Sequence, residues 1–186
     1  MSLNFGHEQR GYTGKILEHD YFGQSVSPSA DVLKFLHEFG RSTQDGKVYL
    51  PFNKSIELIK KFYAQDPHNP AKPVAKDLFQ ALLKKLKLEN PQEFRFYSAI
   101  DTPLDTFHGI DGFFECGDIR LAIDLTANPR KEDEEDNLSV DFVLHQMPDK
   151  KNDEYLYGES LEEAANVLAK IFKEKKARAD REKTPV

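Results

Sequence analysis

The middle of the chain alternates apolar and polar residues in a pattern that predicts a β-hairpin. Residues 110–116 and 119–126 form two short candidate strands, and Gly117-Asp118 between them suits a two-residue turn. A turn at this dipeptide fixes which residues face each other and which share a side. One side is apolar and is predicted to face the core. Its members are Ile110, Phe114, Cys116, Ile119, Leu121, Ile123 and Leu125.

The same register brings two acidic residues together on the other side of the hairpin. Counting back from the turn places Asp111 directly opposite Asp124. Two carboxylates facing each other across strands repel, and a cation between them would remove that cost. Hard divalent ions take oxygen ligands and often use one or two carboxylates. The hairpin therefore predicts half of a site for Mg²⁺ or Mn²⁺ with Asp111 and Asp124 as ligands, and two plain surface residues are the alternative.

Apolar residues that recur every three or four positions predict four helices. The first begins at Pro28, the second is capped by Asn53, and the third runs over about residues 74–88. The fourth begins at a capping box formed by Ser160 and Glu163. Helices thus precede and follow the hairpin along the chain.

The remaining segments complete a small sheet and its flanks. Residues 94–100 and 138–145 alternate as strands, and a further short strand is predicted at 47–50. Residues 1–25 show no clear period and are expected to be an arm that is ordered only by packing on the rest of the chain. The charged residues 173–183 are expected to fray into a solvated tail.

This order of elements predicts an α+β fold, with a mixed sheet of about four strands flanked by helices. Residues 1–72 would be an arm and a helical addition, residues 73–179 the α+β core, and residues 180–186 a charged tail, all in one compact domain.

Composition narrows the class of protein. The chain has 186 residues, 39% hydrophobic and 31% charged, and a formal net charge of −6, which argues against a general polyanion binder. A local basic groove is still compatible with a net charge of −6, so nucleic acid is retained as a candidate partner.

Cys116 is the single cysteine and excludes an intrachain disulfide. With no apolar run of membrane-spanning length, we expect a cytoplasmic protein with no membrane contact. The sequence does not indicate an oligomeric state.

Two short motifs on the hairpin resemble the PD-(D/E)XK nuclease superfamily. Gly-Ile-Asp-Gly at 109–112 matches its first carboxylate, Asp111, and Ala-Ile-Asp-Leu-Thr at 122–126 matches its second, Asp124. The resemblance covers roughly residues 74–145. It implies a restriction-endonuclease-like core and Mg²⁺-dependent hydrolysis of phosphodiesters.

The sequence departs from that family at Thr126, which occupies the position of the family's lysine. A threonine hydroxyl can position water but carries no positive charge. Lys131, or Arg130 beside it, is the candidate replacement from the loop after the strand. The alternatives are a catalytically silent module that binds a protein or nucleic acid through its helical N-terminal part, and a hydrolase of a small phosphate ester.

Other polar residues near the hairpin have simpler explanations. Glu115 lies opposite Arg120, and a cross-strand ion pair is preferred to a metal-ligand role. His108 is expected to have no catalytic task, with a phosphate contact or a general base as the alternative. Asp101 and Asp105 bracket a proline-containing turn, where one of them approaching the metal is the less favoured possibility.

The third helix carries acidic and basic side chains whose plain interpretation is a solvated face. Asp77 and Gln80 would face the carboxylate site only in the less favoured alternative. A stripe of lysines facing phosphate is likewise the weaker interpretation. These lysines are Lys72, Lys76, Lys84, Lys85 and Lys87.

Overall fold

The computed structural model describes residues 14–128 and 140–183. Residues 14–21 are helical and are labelled α1. The other helices are α2 (Ala30–Phe39), α3 (Phe52–Phe62), α4 (Pro73–Leu86), α5 (Pro103–His108) and α6 (Glu154–Glu182). The strands are β1 (Arg41–Ser42), β2 (Val48–Tyr49), β3 (Phe94–Ser98), β4 (Gly112–Cys116), β5 (Ile119–Thr126) and β6 (Phe142–His145). No helix within the described residues combines the length and apolarity of a membrane span.

The central sheet has four strands in the order β3-β4-β5-β6. The β3–β4 and β4–β5 pairs are antiparallel, and the β5–β6 pair is parallel. Cys116 pairs with Ile119 and Gly112 pairs with Ile123, which is the register set by the Gly117-Asp118 turn. The predicted α+β class, the mixed four-stranded sheet and the hairpin register are confirmed.

Helices cover both faces of this sheet. On one face, α1, α4 and α6 pack on the apolar side of the hairpin around Phe114 and Ile123. On the other face, α3 and α5 cover Phe113 and Ala122 in a second core cluster. Both faces are therefore buried, and the side that carries the aspartates is not a solvent face. Ile110 lies in this second cluster rather than on the predicted apolar side, because the regular pairing ends at Gly112.

The described part of the segment predicted as an arm, residues 14–25, contributes to the main core. Leu17, Tyr21 and Phe22 are buried in the cluster that includes α4 and α6. The Tyr21 hydroxyl accepts a hydrogen bond from the backbone N–H of Met147 at 2.7 Å. A side chain at Gly112 would meet the Phe22 ring at 2.9 Å, so glycine is needed there for close packing. Tyr21 and Phe22 are thus core anchors.

Three predicted helix starts differ from the structure. Ser29 caps α2 by accepting from the N–H of Val32. Pro51 precedes α3, so Asn53 lies inside the first turn and does not cap it. The capping box predicted at residues 160–163 is wrong, because α6 begins at Glu154 and includes both positions.

The charged segment predicted to fray is also helical. Residues 173–182 continue α6, and tertiary ion pairs hold them against the sheet. Lys175 donates to the carboxylate of Asp141 at 2.6 Å, and Lys183 donates to Asp118 at 2.7 Å. These partners lie far away in sequence, so composition alone suggested a tail.

Candidate metal centre

The two aspartates on the hairpin lie at the end of the sheet where β4 begins and β5 approaches its end. Asp111 and Asp124 are each only 4% exposed. The Asp111 carboxylate accepts a hydrogen bond from the backbone N–H of Leu125 at 2.7 Å. The carbonyl oxygen of Asp111 accepts from the N–H of Ala99 at 2.8 Å. Main-chain contacts to β5 and to the residue after β3 therefore fix the position of Asp111.

The surroundings of Asp111 disfavour its negative charge. Burial raises the pKa of Asp111 to about 8, although the hydrogen bond from Leu125 acts in the opposite direction. The negative charges of Asp124, Glu18 and Asp105 raise the pKa further, in decreasing order. Near neutral pH, Asp111 holds a proton unless a cation compensates its charge.

Two further carboxylates complete the cluster from outside the hairpin. One oxygen each of Glu18, Asp105 and Asp111 lies within 4.8 Å of the other two. Glu18 comes from α1, in the segment predicted as an arm, and Asp105 comes from α5. The triad contains Asp111 but not Asp124, so the group of three oxygens differs from the predicted pair. We use the name carboxylate cluster for Glu18, Asp105, Asp111 and Asp124.

Sequence reasoning missed Glu18 and ranked Asp105 as a turn former. The available signal for Glu18 was the spacing of Leu17 and Tyr21, which is typical of one buried helical face. For Asp105, the segment predicted as a turn forms a short helix, with Thr102 capping it by accepting from the N–H of Leu104. Asp105 therefore lies near the predicted ligand Asp111, as in the less favoured alternative for this segment.

Lys15, on α1, contacts two members of the cluster with its ammonium group. Lys15 Nζ lies 2.7 Å from Glu18 Oε2 and 2.7 Å from Asp105 Oδ2. Partial burial alone would lower the pKa of Lys15, but its hydrogen bonds to Asp105 and Glu18 raise the pKa above its ordinary value. Burial raises the pKa of Glu18, and Lys15 opposes that rise. The ammonium therefore stays charged and offsets part of the negative charge.

Asp101 forms the outer edge of this arrangement. Its backbone is in the left-handed region, with φ of 62°, which is uncommon for a residue other than glycine. The Asp101 N–H donates to Asp105 Oδ2 at 2.8 Å, and the Asp101 carboxylate lies 2.8 Å from His19 Nε2. It also lies 3.6 Å from Lys15 Nζ. These contacts connect α1 to the start of α5 and hold Asp105 in place.

Of the other predicted catalytic residues, the structure describes Thr126, whose hydrogen bonds are to the main chain of Asn128 and Gln146. Thr126 is buried, and its hydroxyl oxygen accepts from the N–H of Asn128 at 3.0 Å. The Thr126 carbonyl oxygen accepts from the N–H of Gln146 at 3.0 Å. Lys131 and Arg130 lie outside the described residues. Their roles stay predictions.

The predicted cross-strand ion pair of Glu115 is confirmed. Glu115 is 5% exposed and lies 2.9 Å from Arg120 and 2.5 Å from Lys60 on α3. Two cations therefore balance this buried carboxylate. The contacts give Glu115 a structural role.

His108 and Asp77 also make contacts of a structural kind. His108 Nε2 lies 3.0 Å from the carbonyl oxygen of Leu50, and its ring packs against Tyr49 and Phe52. Asp77 accepts from Lys150 at 2.8 Å and from the hydroxyl of Tyr157 at 2.9 Å.

Asp77 and Gln80 lie in an open groove between α4 and α6, which encloses about 540 Å³. Lys84 and Lys85 line the same groove, together with acidic residues of α6 such as Glu162. Mixed charge of this kind agrees with a solvated helix face rather than with a stripe that faces phosphate.

Comparisons with known proteins identify no relative: no protein-family model, curated protein or solved structure matches the chain. The chemistry open to the cluster follows from its groups alone. Partly buried carboxylates from α1 and α5 and buried carboxylates from the hairpin supply oxygen ligands only, which suits a hard divalent cation better than a thiolate-seeking metal.

Proposed function

We propose that the protein is a metal-dependent phosphodiester hydrolase of the nuclease type, with a restriction-endonuclease-like core of the PD-(D/E)XK kind. The observation that carries the proposal is the position of Asp111. Its carboxylate is 4% exposed, and within the described residues the charges that act on it are those of Asp124, Glu18 and Asp105. A buried acid in such surroundings is a candidate functional residue, because its charge is tolerated only when a cation is bound.

The residues fit Mg²⁺ or Mn²⁺. Asp111 and Asp124 are the proposed ligands on the hairpin, and Glu18 and Asp105 supply further carboxylate oxygens next to Asp111. All are hard oxygen donors, and the described part of the chain places no cysteine or histidine in the triad. A bound ion would lower the pKa of a coordinated water and stabilise negative charge on the phosphate.

The remaining tasks fall to residues of the chain itself. The main-chain contacts of Asp111 hold its carboxylate in one orientation, which limits the reorganisation needed when a ligand binds. Lys131 is proposed to provide the positive charge that Thr126 lacks and to contact a phosphate oxygen. Nucleic acid is the proposed substrate, and a small phosphate ester is the weaker candidate.

One observation favours a second candidate, a catalytically silent module that binds a protein or nucleic acid. Thr126 stands where the family's lysine is expected, and its hydroxyl oxygen already accepts a hydrogen bond from the Asn128 N–H. A hydroxyl held in a turn contributes no positive charge to the site. In that case metal binding would persist without cleavage.

A cleavage assay separates the two candidates. Single- and double-stranded DNA and RNA are incubated with the full chain and Mg²⁺ or Mn²⁺, alongside Asp111→Asn, Asp124→Asn and Lys131→Ala. Asp118→Asn is the matched control, because Asp118 is an exposed aspartate at the turn of the same hairpin. We expect cleavage by the wild type and the control only. Absence of cleavage by the wild type on every substrate would favour the silent module.

The Lys131 variant has a separate purpose. Lys131→Ala is expected to lose most cleavage, on the order of 10²-fold, while keeping its metal affinity, since the lysine acts on charge that develops during reaction. Equal cleavage by Lys131→Ala would show that another cation fills this role.

A further inference from the structure

Lys15 contacts two of the carboxylates that a metal ion would use. Its ammonium lies 2.7 Å from both Glu18 Oε2 and Asp105 Oδ2, which come from α1 and α5. Asp105 Oδ2 also accepts the backbone N–H of Asp101. Each of these carboxylates contributes an oxygen to the triad with Asp111. In the described structure, the Lys15 ammonium is therefore the cation that holds α1 and α5 together at the cluster.

We infer that Lys15 is an internal counter-cation of the carboxylate cluster, and that its two contacts and a bound divalent ion exclude each other. This inference rests on the metal site of the proposed function. An ammonium and a divalent ion held by the same two carboxylates would be only a few ångströms apart and would repel strongly. Metal entry therefore requires release of the Lys15 ammonium.

The position of Lys15 makes such a release physically simple. Its side chain is 47% exposed, so the ammonium can move into water without crossing the core. The lysine stem is flexible and its head is strongly hydrated. The side chains of Glu18 and Asp105, by contrast, are only 16% and 14% exposed, so they keep their positions on α1 and α5. The exchange needs a side-chain movement only.

The first test measures metal affinity directly. Isothermal titration calorimetry with MnCl₂ on the full chain compares wild type, Lys15→Met and Lys15→Arg. Lys15→Met should bind Mn²⁺ about tenfold more tightly, because one competing charge near the site is gone. Lys15→Arg keeps the charge and should bind like the wild type. Lys54→Met is the matched control, because Lys54 forms a 2.6 Å ion pair with Glu57 on α3.

The second test follows the ammonium itself. The full chain is treated with an amine acetylating reagent, with and without Mn²⁺, and acetylation of Lys15 and Lys54 is quantified by peptide mass spectrometry. Mn²⁺ should raise the reactivity of Lys15 several-fold and leave Lys54 unchanged. Asp111→Asn should show no increase at Lys15. This measurement uses native Lys15, so it holds even where Lys15→Met fails to fold.

The outcomes separate this inference from the proposed function. Unchanged or weaker Mn²⁺ affinity in folded Lys15→Met, or Lys15 acetylation that ignores Mn²⁺, would overturn the exchange while Asp111-dependent metal binding stands. Lack of Asp111-dependent Mn²⁺ binding in every variant would overturn both. Tighter binding by Lys15→Met without cleavage of any nucleic acid would support the exchange and count against the nuclease.

Discussion

Glu115 on β4 and Asp111 directly before β4 are both buried carboxylates, but their surroundings carry opposite charge. Glu115 is 5% exposed and lies between Lys60 and Arg120. Asp111 is 4% exposed and lies among carboxylates, with one backbone N–H donating to it. The exposed fraction is nearly the same at both positions, so burial alone does not distinguish a carboxylate with a structural role from one with a proposed functional role. The difference among the described residues is charge balance: two cations contact Glu115, whereas the charges that act on Asp111 are those of other carboxylates.

The largest expected difference between Asp111 and Glu115 is in the rate of metal-dependent cleavage after each is substituted. Asp111→Asn should lower metal-dependent cleavage by on the order of 10²-fold or more, because it removes a proposed ligand. Glu115→Gln should keep cleavage near the wild-type rate under conditions where it is folded. Rates on the best nucleic-acid substrate, measured at saturating Mn²⁺, check the contrast. Equal losses in both variants would mean that the comparison describes stability alone.

Metal-dependent stability should follow the same division. Mg²⁺ or Mn²⁺ at 100 times its dissociation constant should stabilise the wild type by about 2.7 kcal/mol through mass action. Thermal melts with and without metal should show this shift in Glu115→Gln and should not show it in Asp111→Asn. A shift that survives Asp111→Asn would place the metal elsewhere on the chain.

In the absence of metal, substitution of Glu115 should destabilise the fold more than substitution of Asp111 does. Glu115→Gln leaves Lys60 and Arg120 with a weaker acceptor in a partly buried setting, and should cost about 1–3 kcal/mol. Urea denaturation gives this value. Glu57→Gln is the matched control, since Glu57 pairs with Lys54 on the exposed side of α3, and it should change stability by less than about 0.5 kcal/mol. A loss as small as that of the control would remove the structural role of Glu115.

The pH dependence of stability sharpens the comparison further. The pKa of Asp111 is about 8 in the fold, against an ordinary value of 3.8. Between these values the unfolded chain releases a proton that the fold retains, so the free energy of unfolding should fall as pH rises from about 4 to 8. Asp111→Asn should lack this contribution. Urea titrations of both proteins in chelator check it, and parallel pH profiles would contradict the raised pKa.

Local pattern was enough to predict the sheet and much of the helical content. The hairpin follows from Gly117-Asp118 and the alternation around it, since turn type and side-chain parity act over neighbouring residues. The prediction failed at the ends of the chain. The segment with Leu17 and Phe22 was assigned to an arm, and the charged end of α6 to a tail, because their partners are distant in sequence.

The candidate site divides along the same line. The sequence alone determined the register of β4 and β5, because one short turn sets it, and from that register it predicted that Asp111 lies opposite Asp124. Only the tertiary structure decided that Glu18, Asp105 and Lys15 join them. Lys15 and Asp105 are 90 positions apart and contact each other although α1 and α5 pack on opposite faces of the sheet. Such contacts arise because each helix is positioned by the burial of its own apolar face, and the charged residues on those helices carry no local signal of their partners.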